Sequence, residues 1–357
     1  MTMKAFTYRK GGRNLRDARR YSGLMLLYLL MGTIASHAQN LHFSQFFNSP
    51  LTTNAANTGF IPESDYRIGA NYRSQWTSIP VPYKTMSIWG DAQILRDRFT
   101  TGWVGVGGAI LRDVAGSGNL ASTKIYGSAA YHQMLGATGL LSAGFSMGLV
   151  NKRVDISKFT YDNQWNGKFF DYSIQSGENF LATNISYMDL QVGLNYAYFP
   201  TDDIYLHGGI ALKQLNRPEE TFFSQTPGYN RIMDRRYTLF GDAVVKVNDQ
   251  WIFSPSAYYS RQSRAEELVA GMHANYNLSG DGEHQLIAGA YYRLGDAFIP
   301  MVGYQWKSFR FMFSFDATTS SMRDFNNAQG ATEMSLLNSG FYFDNSPQTR
   351  QSMCPKF

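Results

Sequence analysis

From Met188 to Leu215 the side chains alternate with a period of two, broken only at Pro200-Thr201-Asp202. Met188, Leu190, Val192, Leu194, Tyr196 and Tyr198 share one face, and Asp189, Gln191, Gly193, Asn195 and Ala197 share the other. That is the period of a strand, not of a helix. The second arm repeats it, with Ile204, Leu206, Ile210 and Leu212 set against His207, Gly209, Ala211 and Lys213. The break is too short for a crossover helix, so the arms form one antiparallel hairpin. Each arm runs about 10 to 12 residues, long for a soluble strand but the length that a tilted strand needs to cross a bilayer's hydrocarbon.

A chain of 357 residues with a mean hydropathy of −0.30 accommodates more of the same, because alternation dilutes the apolar half of a membrane barrel. No internal stretch approaches the ~20 continuous apolar residues of a membrane helix. The one apolar run, 24–34, follows a basic stretch and precedes Ser36-His37-Ala38. This pattern predicts a secretory signal over 1–38, cleaved after Ala38 and exported by the general route. That segment holds seven of the 32 Lys/Arg and one of the 27 Asp/Glu, which leaves 25 basic and 26 acidic residues. A near-neutral remainder gives no footing to a nucleic-acid partner, whatever the sequence pI. The single cysteine, Cys354, has no partner for an internal disulfide.

Alternation continues after Ser64 and predicts an all-β fold, a 14-stranded antiparallel transmembrane β-barrel behind an irregular N-terminal segment, 39–64. The expected strands are 66–74, 84–94, 101–112, 122–134, 140–152, 183–199, 204–215, 235–247, 250–261, 266–277, 284–294, 298–306, 309–318 and 333–343. The count is even, as closure with both termini on the periplasmic side requires. The barrel domain is drawn at 65–344, with a periplasmic tail at 345–357. Every second connection is short (95–100, 135–139, 200–203, 248–249, 278–283 and 307–308), whereas the others include 153–182, 216–234 and 319–332; 262–265 and 295–297 are short as well, so the alternation is a trend. Outer-membrane barrels pair short periplasmic turns with long outer loops, which predicts an outer-membrane location in a Gram-negative bacterium.

Alternation also assigns faces. Ile68, Ala70, Tyr72, Met86, Ile88 and Ile94 are expected toward lipid, and Arg67, Asn71, Arg73, Asp91 and Gln93 toward the lumen. Phe309, Phe311, Phe313 and Phe315 alternate with Arg310, Ser314 and Asp316. Gly102, Gly105, Gly107 and Gly108 mark places where strands bend or the backbone nears a lumen filler. Pairing the first hairpin through 75–83 sets Asp91 across from Arg67. The Arg67, Arg73 and Asp91 group is then expected to hold 39–64 as a partial plug or docking surface, or else to act only as a wall-stabilising ion-pair network.

The run His42-Phe43-Ser44-Gln45-Phe46 with Pro50, Asn54 and Gly59 is followed by Tyr72-Arg73-Ser74-Gln75-Trp76 and Tyr83-Lys84-Thr85. In this order and at these spacings it resembles the start of the PorP/SprF family of outer-membrane proteins of the Bacteroidota type IX secretion system. The sharp resemblance covers roughly 40–95. One departure is Asn54-Ala55-Ala56-Asn57, where the family more usually has proline after the first Asn. The resemblance implies a non-enzymatic barrel of the secretion and gliding machinery that assists export or surface attachment of protein substrates. It also implies partners in the periplasmic ring or outer-membrane translocon and an adhesin-like cargo, with outer-membrane lipid around the barrel.

No motif points to catalysis, a cofactor or a metal. The Gly102–Gly108 run alternates with valines and lacks GK[ST], and His42, His132, His207, His273 and His284 form no ligand spacing. Glu219-Glu220 and Glu266-Glu267 read as solvated charge at outer ends. The outer loop 153–182 carries Phe159, Tyr161, Trp165, Phe169, Phe170 and Tyr172, an aromatic set suited to a protein partner or to folding over the barrel's own mouth. Two other classes are open. A channel for small hydrophobic solutes requires an apolar tunnel and a lateral gap, and an outer-membrane hydrolase requires a serine within reach of His207 or His273.

Overall fold

The computed structural model describes residues 43–342 apart from 63, 79–81, 100, 117, 172, 179 and 223–231. The expected signal 1–38, the tail 345–357 with Cys354, and the expected site residues His42 and Tyr172 lie outside the described residues.

The strands are β1 (Tyr66–Gln75), β2 (Tyr83–Ile94), β3 (Gly102–Ala115), β4 (Leu120–Leu135), β5 (Gly139–Arg153), β6 (Asn184–Thr201) and β7 (Ile204–Lys213). They continue with β8 (Arg236–Lys246), β9 (Trp251–Gln262), β10 (Ala265–Asn277), β11 (His284–Arg293), β12 (Ala297–Trp306), β13 (Phe309–Thr318) and β14 (Gln329–Gly340). Each pairs antiparallel with its sequence neighbours, and β14 pairs with β1 from Tyr66↔Gly340 to Gln75↔Ala331. The result is a closed 14-stranded barrel. Closure leaves no strand edge, the condition for sheet structure in hydrocarbon.

The expected strands match these one to one, and thirteen lie within three residues at each end. The last does not: β14 starts at Gln329, not 333. Asn326, Asn327 and Gly330 read as a loop, but a helical turn at Arg323–Asn326 ends on left-handed Asn327 and Ala328 (φ 53° and 60°) and feeds straight into the strand. The turn placed at 200–203 is also shorter. Pro200 and Thr201 continue β6, and the register shifts between Tyr198 and Thr201, where proline offers no ladder N–H.

The faces follow from the solvents. Ile68 (54% exposed), Tyr72, Met86 and Ile88 (64%) point outward, Ile94 is half-buried, and Asn71, Arg73, Asp91 and Gln93 are buried inside. The outward charges in the strands, Lys84, Arg112, Arg153, Arg261 and Glu266, all sit at the loop end of the barrel. The middle of the outer wall is uncharged, as a belt in lipid must be.

The core lies inside the barrel, and the chain ahead of β1 supplies part of it. Phe46 joins a cluster with Tyr258, Ile287, Tyr291 and Ile299. Phe60 joins Trp103, Leu140, Phe199 and Tyr205, and Phe43 with Leu51 joins Trp89, Ala109 and Leu111. Each inner apolar cluster is therefore built around a residue from 43–60.

Candidate functional site

Residues 43–62 form three short helical turns, Phe46–Asn48, Pro50–Thr53 and Ala55–Asn57, too short to be stable alone. The barrel wall holds them. Proline opens the second turn, where its missing N–H costs nothing. Asn54 caps the third by accepting from the Ala56 N–H at 2.8 Å, and its amide donates to the Leu194 and Ile210 carbonyls at 3.2 and 3.1 Å. Asn54 is extended (ψ 133°), the conformation a following proline requires. Ala55 is thus preceded by the backbone conformation that a proline at that position would also impose on Asn54.

Two charged anchors fix the ends of this segment. At the first, Glu333 accepts the Ser44 and Gln45 backbone N–H groups at 2.8 and 2.9 Å. Arg73 donates to Glu333 at 3.2 Å and to Asp316 at 2.8 Å, while Arg293 donates to Asp316 at 2.9 Å and to Glu267 at 3.0 Å. The Ser44 hydroxyl sits among them, accepting from both arginines at 2.6 Å and donating to Asp316 at 2.9 Å. The side chains of Arg73, Arg293, Asp316 and Glu333 are at most 3% exposed. Buried charges of this kind persist only when paired and hydrogen-bonded.

At the second anchor Arg67 grips Asp91 with two bonds of 2.9 Å and donates to the Asn57 carbonyl at 2.9 Å. Asp91 also accepts the Gly59 N–H at 2.7 Å. Arg67 and Asp91 are direct register partners on β1 and β2. Gln93 donates to the Ile61 carbonyl, and Trp103 donates to the Gly59 carbonyl at 2.9 Å. His132 Nε2 donates to the Thr58 carbonyl at 2.8 Å, which leaves Nδ1 to accept from Ser142 at 2.7 Å.

The wall is hollowed to receive the segment. Gly59, at φ +67°, lies against Gly105: a Cβ on Gly105 would stand 2.0 Å from the Thr58 oxygen and 2.7 Å from the Gly59 Cα. On the far side Asn195 donates to Asn57 at 2.6 Å and Lys213 to the Thr52 carbonyl. Phe46 stacks on Tyr258 at 5.4 Å, and Phe47 on His273 at 4.9 Å. The segment therefore touches the wall on β1 to β7, β9 to β11, and β13 and β14, with Gly144 of β5 lying against the Ala55 backbone. A cavity beside it is lined by Phe43, Leu51, Lys124, Lys213 and Arg236 among others.

Other expected site residues fall apart from this group. Trp76 (φ 57°) and Tyr83 pack at 5.0 Å to close the first hairpin beyond Gln75, and Thr85 donates to Asp113 at 2.6 Å. In the long loop, Phe159 and Tyr161 are half-buried, with Phe159 packed on Gly118 of the neighbouring loop. Trp165 (50%), Phe169 (58%) and Phe170 (40%) are exposed, and Trp165 and Phe170 meet edge to face at 5.1 Å. The reading of the acid pairs as solvated holds for Glu219 and Glu266, which are exposed, and is corrected for Glu220 and Glu267. Glu220 bonds Lys152 at 2.5 Å and Tyr187 at 2.6 Å, and strand alternation turns Glu267 inward to Arg293. His207 bonds Asp242 at 3.0 Å and His273 bonds Tyr291 at 3.0 Å.

Sequence reasoning missed Glu333, Arg293 and His132. Each lies at an inward position of its strand, but an inward polar residue is unremarked until a partner across the lumen is known.

An apolar outer wall of membrane-spanning strands around a lumen packed by the chain's own N-terminal segment defines an outer-membrane β-barrel of the occluded type. The chain belongs to the PorP/SprF family: the family described as "type IX secretion system membrane protein PorP/SprF" matches residues 35–337. Comparison with curated proteins finds no match. Among solved structures the chain is similar to a Pseudomonas aeruginosa FadL homologue, at 11% identity and a TM-score of 0.49, covering 82% of this chain and 94% of that one. It is similar also to the toluene transporter TbuX of Ralstonia pickettii, at 11% identity and TM-score 0.44 over 82% and 94% of the chains. The translocator domain of the autotransporter NalP from Neisseria meningitidis gives 12% identity and TM-score 0.38 over 90% and 95%.

Proposed function

We propose that this protein is a non-enzymatic component of the type IX secretion and gliding machinery that assists export or surface attachment of protein substrates. One observation carries the reading. The lumen is filled by the segment 43–62, while bulky apolar side chains at the loop end, Trp165, Phe169, Phe170 and Phe325 (76%), are left in solvent. A barrel so arranged offers a partner surface rather than a passage, and clustered exposed aromatics are what protein interfaces use. The long loops face the cell exterior and both termini the periplasm, in keeping with the short turns at the opposite end. The ring or translocon of the apparatus and an adhesin-like cargo are the partners.

The hydrophobic-solute channel asks for a lateral gap and an apolar tunnel. The strand ring is closed, and the cavity beside the inner segment carries Lys124, Lys213 and Arg236.

Deleting the gene will remove one or a few large proteins from the cell surface or culture medium, read by proteomics. Complementation with W165A/F169A/F170A will restore the barrel to the membrane but not export. Loss of central aromatic anchors typically costs about 2 kcal/mol or more, roughly a thirtyfold weaker contact. An unchanged set of exported proteins together with impaired uptake of a hydrophobic solute would reverse the assignment.

A further inference from the structure

The outward face of β2 to β5 carries an arrangement that neither the plug nor the loops use. Register places Lys84, Val114, Ala121, Arg153 and Asn184 in one row across β2 to β6, all on the outer wall. The next row down is Met86, Arg112, Thr123, Asn151 and Ser186. Lys84, Arg112 and Arg153 are exposed, and with strands about 4.8 Å apart they fall within roughly 15 Å of one another. Of the acids close in sequence, Asp113 points inward to Thr85, and Asp155 pairs with Lys158 at 3.9 Å while remaining near enough to Arg153 to interact with it. Asn151 bonds Asn184 and Ser186 at 2.7 and 2.9 Å, which extends the polar surface sideways.

The third row is of opposite character. It reads Ile88, Ile110, Ile125, Leu149 and Met188, exposed by 64, 54, 53, 65 and 47%. The fourth begins with Gly90, Gly108 and Gly127, and a Cβ on Gly127 would meet nothing within 4 Å. The wall thus passes within one row from three cations with amide and hydroxyl neighbours to a strip of large aliphatic side chains, with a shallow trough beneath.

We infer that this face is a binding site for a phosphorylated glycolipid of the outer leaflet. Lys84, Arg112 and Arg153 meet its phosphate, Asn151 and Asn184 its sugar hydroxyls, and the aliphatic row its acyl chains. The match is one of charge and of height. Anionic headgroups lie at the boundary where the wall turns from polar to apolar, and each Lys or Arg there adds attraction. The inference rests on the loop end facing the cell exterior.

The test is native mass spectrometry of the purified full-length barrel in detergent with three probes: phosphorylated lipid A, the same lipid A after phosphatase treatment, and phosphatidylglycerol. The wild type will retain phosphorylated lipid A and lose about a hundredfold of that preference in K84Q/R112Q/R153Q, the scale expected for three surface cations. An Arg235→Gln variant, which removes an exposed cation outside the patch, will bind as the wild type does. Heat-modified electrophoretic mobility verifies that each variant is folded, and the three-probe comparison on the wild type stands without any variant. Equal retention of both lipid A forms overturns the inference, as does equal retention of phosphatidylglycerol or undiminished binding by the triple variant. No export is measured, so failure here leaves the secretion role standing, and failure of that role leaves this site standing.

Discussion

Replacing Asp316 by alanine will destabilise the folded barrel by about 3–5 kcal/mol, the usual cost of leaving buried charge without its partner. Arg73 and Arg293 both rely on this carboxylate, at 2.8 and 2.9 Å, and the Ser44 hydroxyl donates to it. Without it Arg73 keeps only Glu333 and Arg293 only Glu267 and Asp296, in a site where both guanidinium groups are buried from bulk water. The measurement is the denaturant midpoint of detergent-refolded protein, followed by both tryptophan fluorescence and electrophoretic mobility. Asp234→Ala, which breaks the exposed Arg217–Asp234 pair at 3.3 Å, will shift the midpoint by less than about 1 kcal/mol. Equal effects from the two variants would mean that the luminal cluster is hydrated and adds little to the packing of the inner segment.

Gly105→Val will displace the inner segment while the strands stay paired. Its first added carbon would lie 2.0 Å from a backbone oxygen and 2.7 Å from the Gly59 Cα, so neither side can yield by rotating a side chain. Overpacking against mobile side chains costs about 1–3 kcal/mol, and backbone against backbone falls at or beyond the top of that range. Limited proteolysis will therefore cut the variant within 43–62 and spare the wild type, with the barrel band intact in both. Gly127→Val, on the outer face with open space around it, is the matched control and will behave as the wild type does. Resistance of Gly105→Val to cleavage would show that the segment is held without this close approach.

The strands were legible because lipid and lumen impose opposite demands on successive residues. Ile68, Tyr72, Met86 and Ile88 could be sorted from Asn71, Arg73 and Asp91 by polarity alone. The first hairpin then followed from its turn, which brings Arg67 and Asp91 into register. Where the lumen is itself apolar the signal fades. Ile287, Tyr291, Ile299 and Met301 face inward yet are as greasy as the outward residues beside them, because Phe46 packs against that wall. No local pattern reveals that a phenylalanine from the start of the chain will meet β11 and β12. Glu333 was hidden differently. With the last strand drawn from 333 it stands at a fraying end, whereas in β14 it is the fifth residue and is fully buried beneath Ser44 and Gln45. The glycines at 102–108 were readable as a bend or a close approach, but which one touches the filler depends on Gly59 arriving opposite Gly105.

The chain's own residues close the lumen, and single-channel recording in planar bilayers tests that closure directly. The wild-type barrel will insert without steady ion current, and the D316A and G105V variants will show stepwise, voltage-independent conductance as the segment leaves its seat. Steady conductance from the wild type, unchanged in either variant, would contradict it.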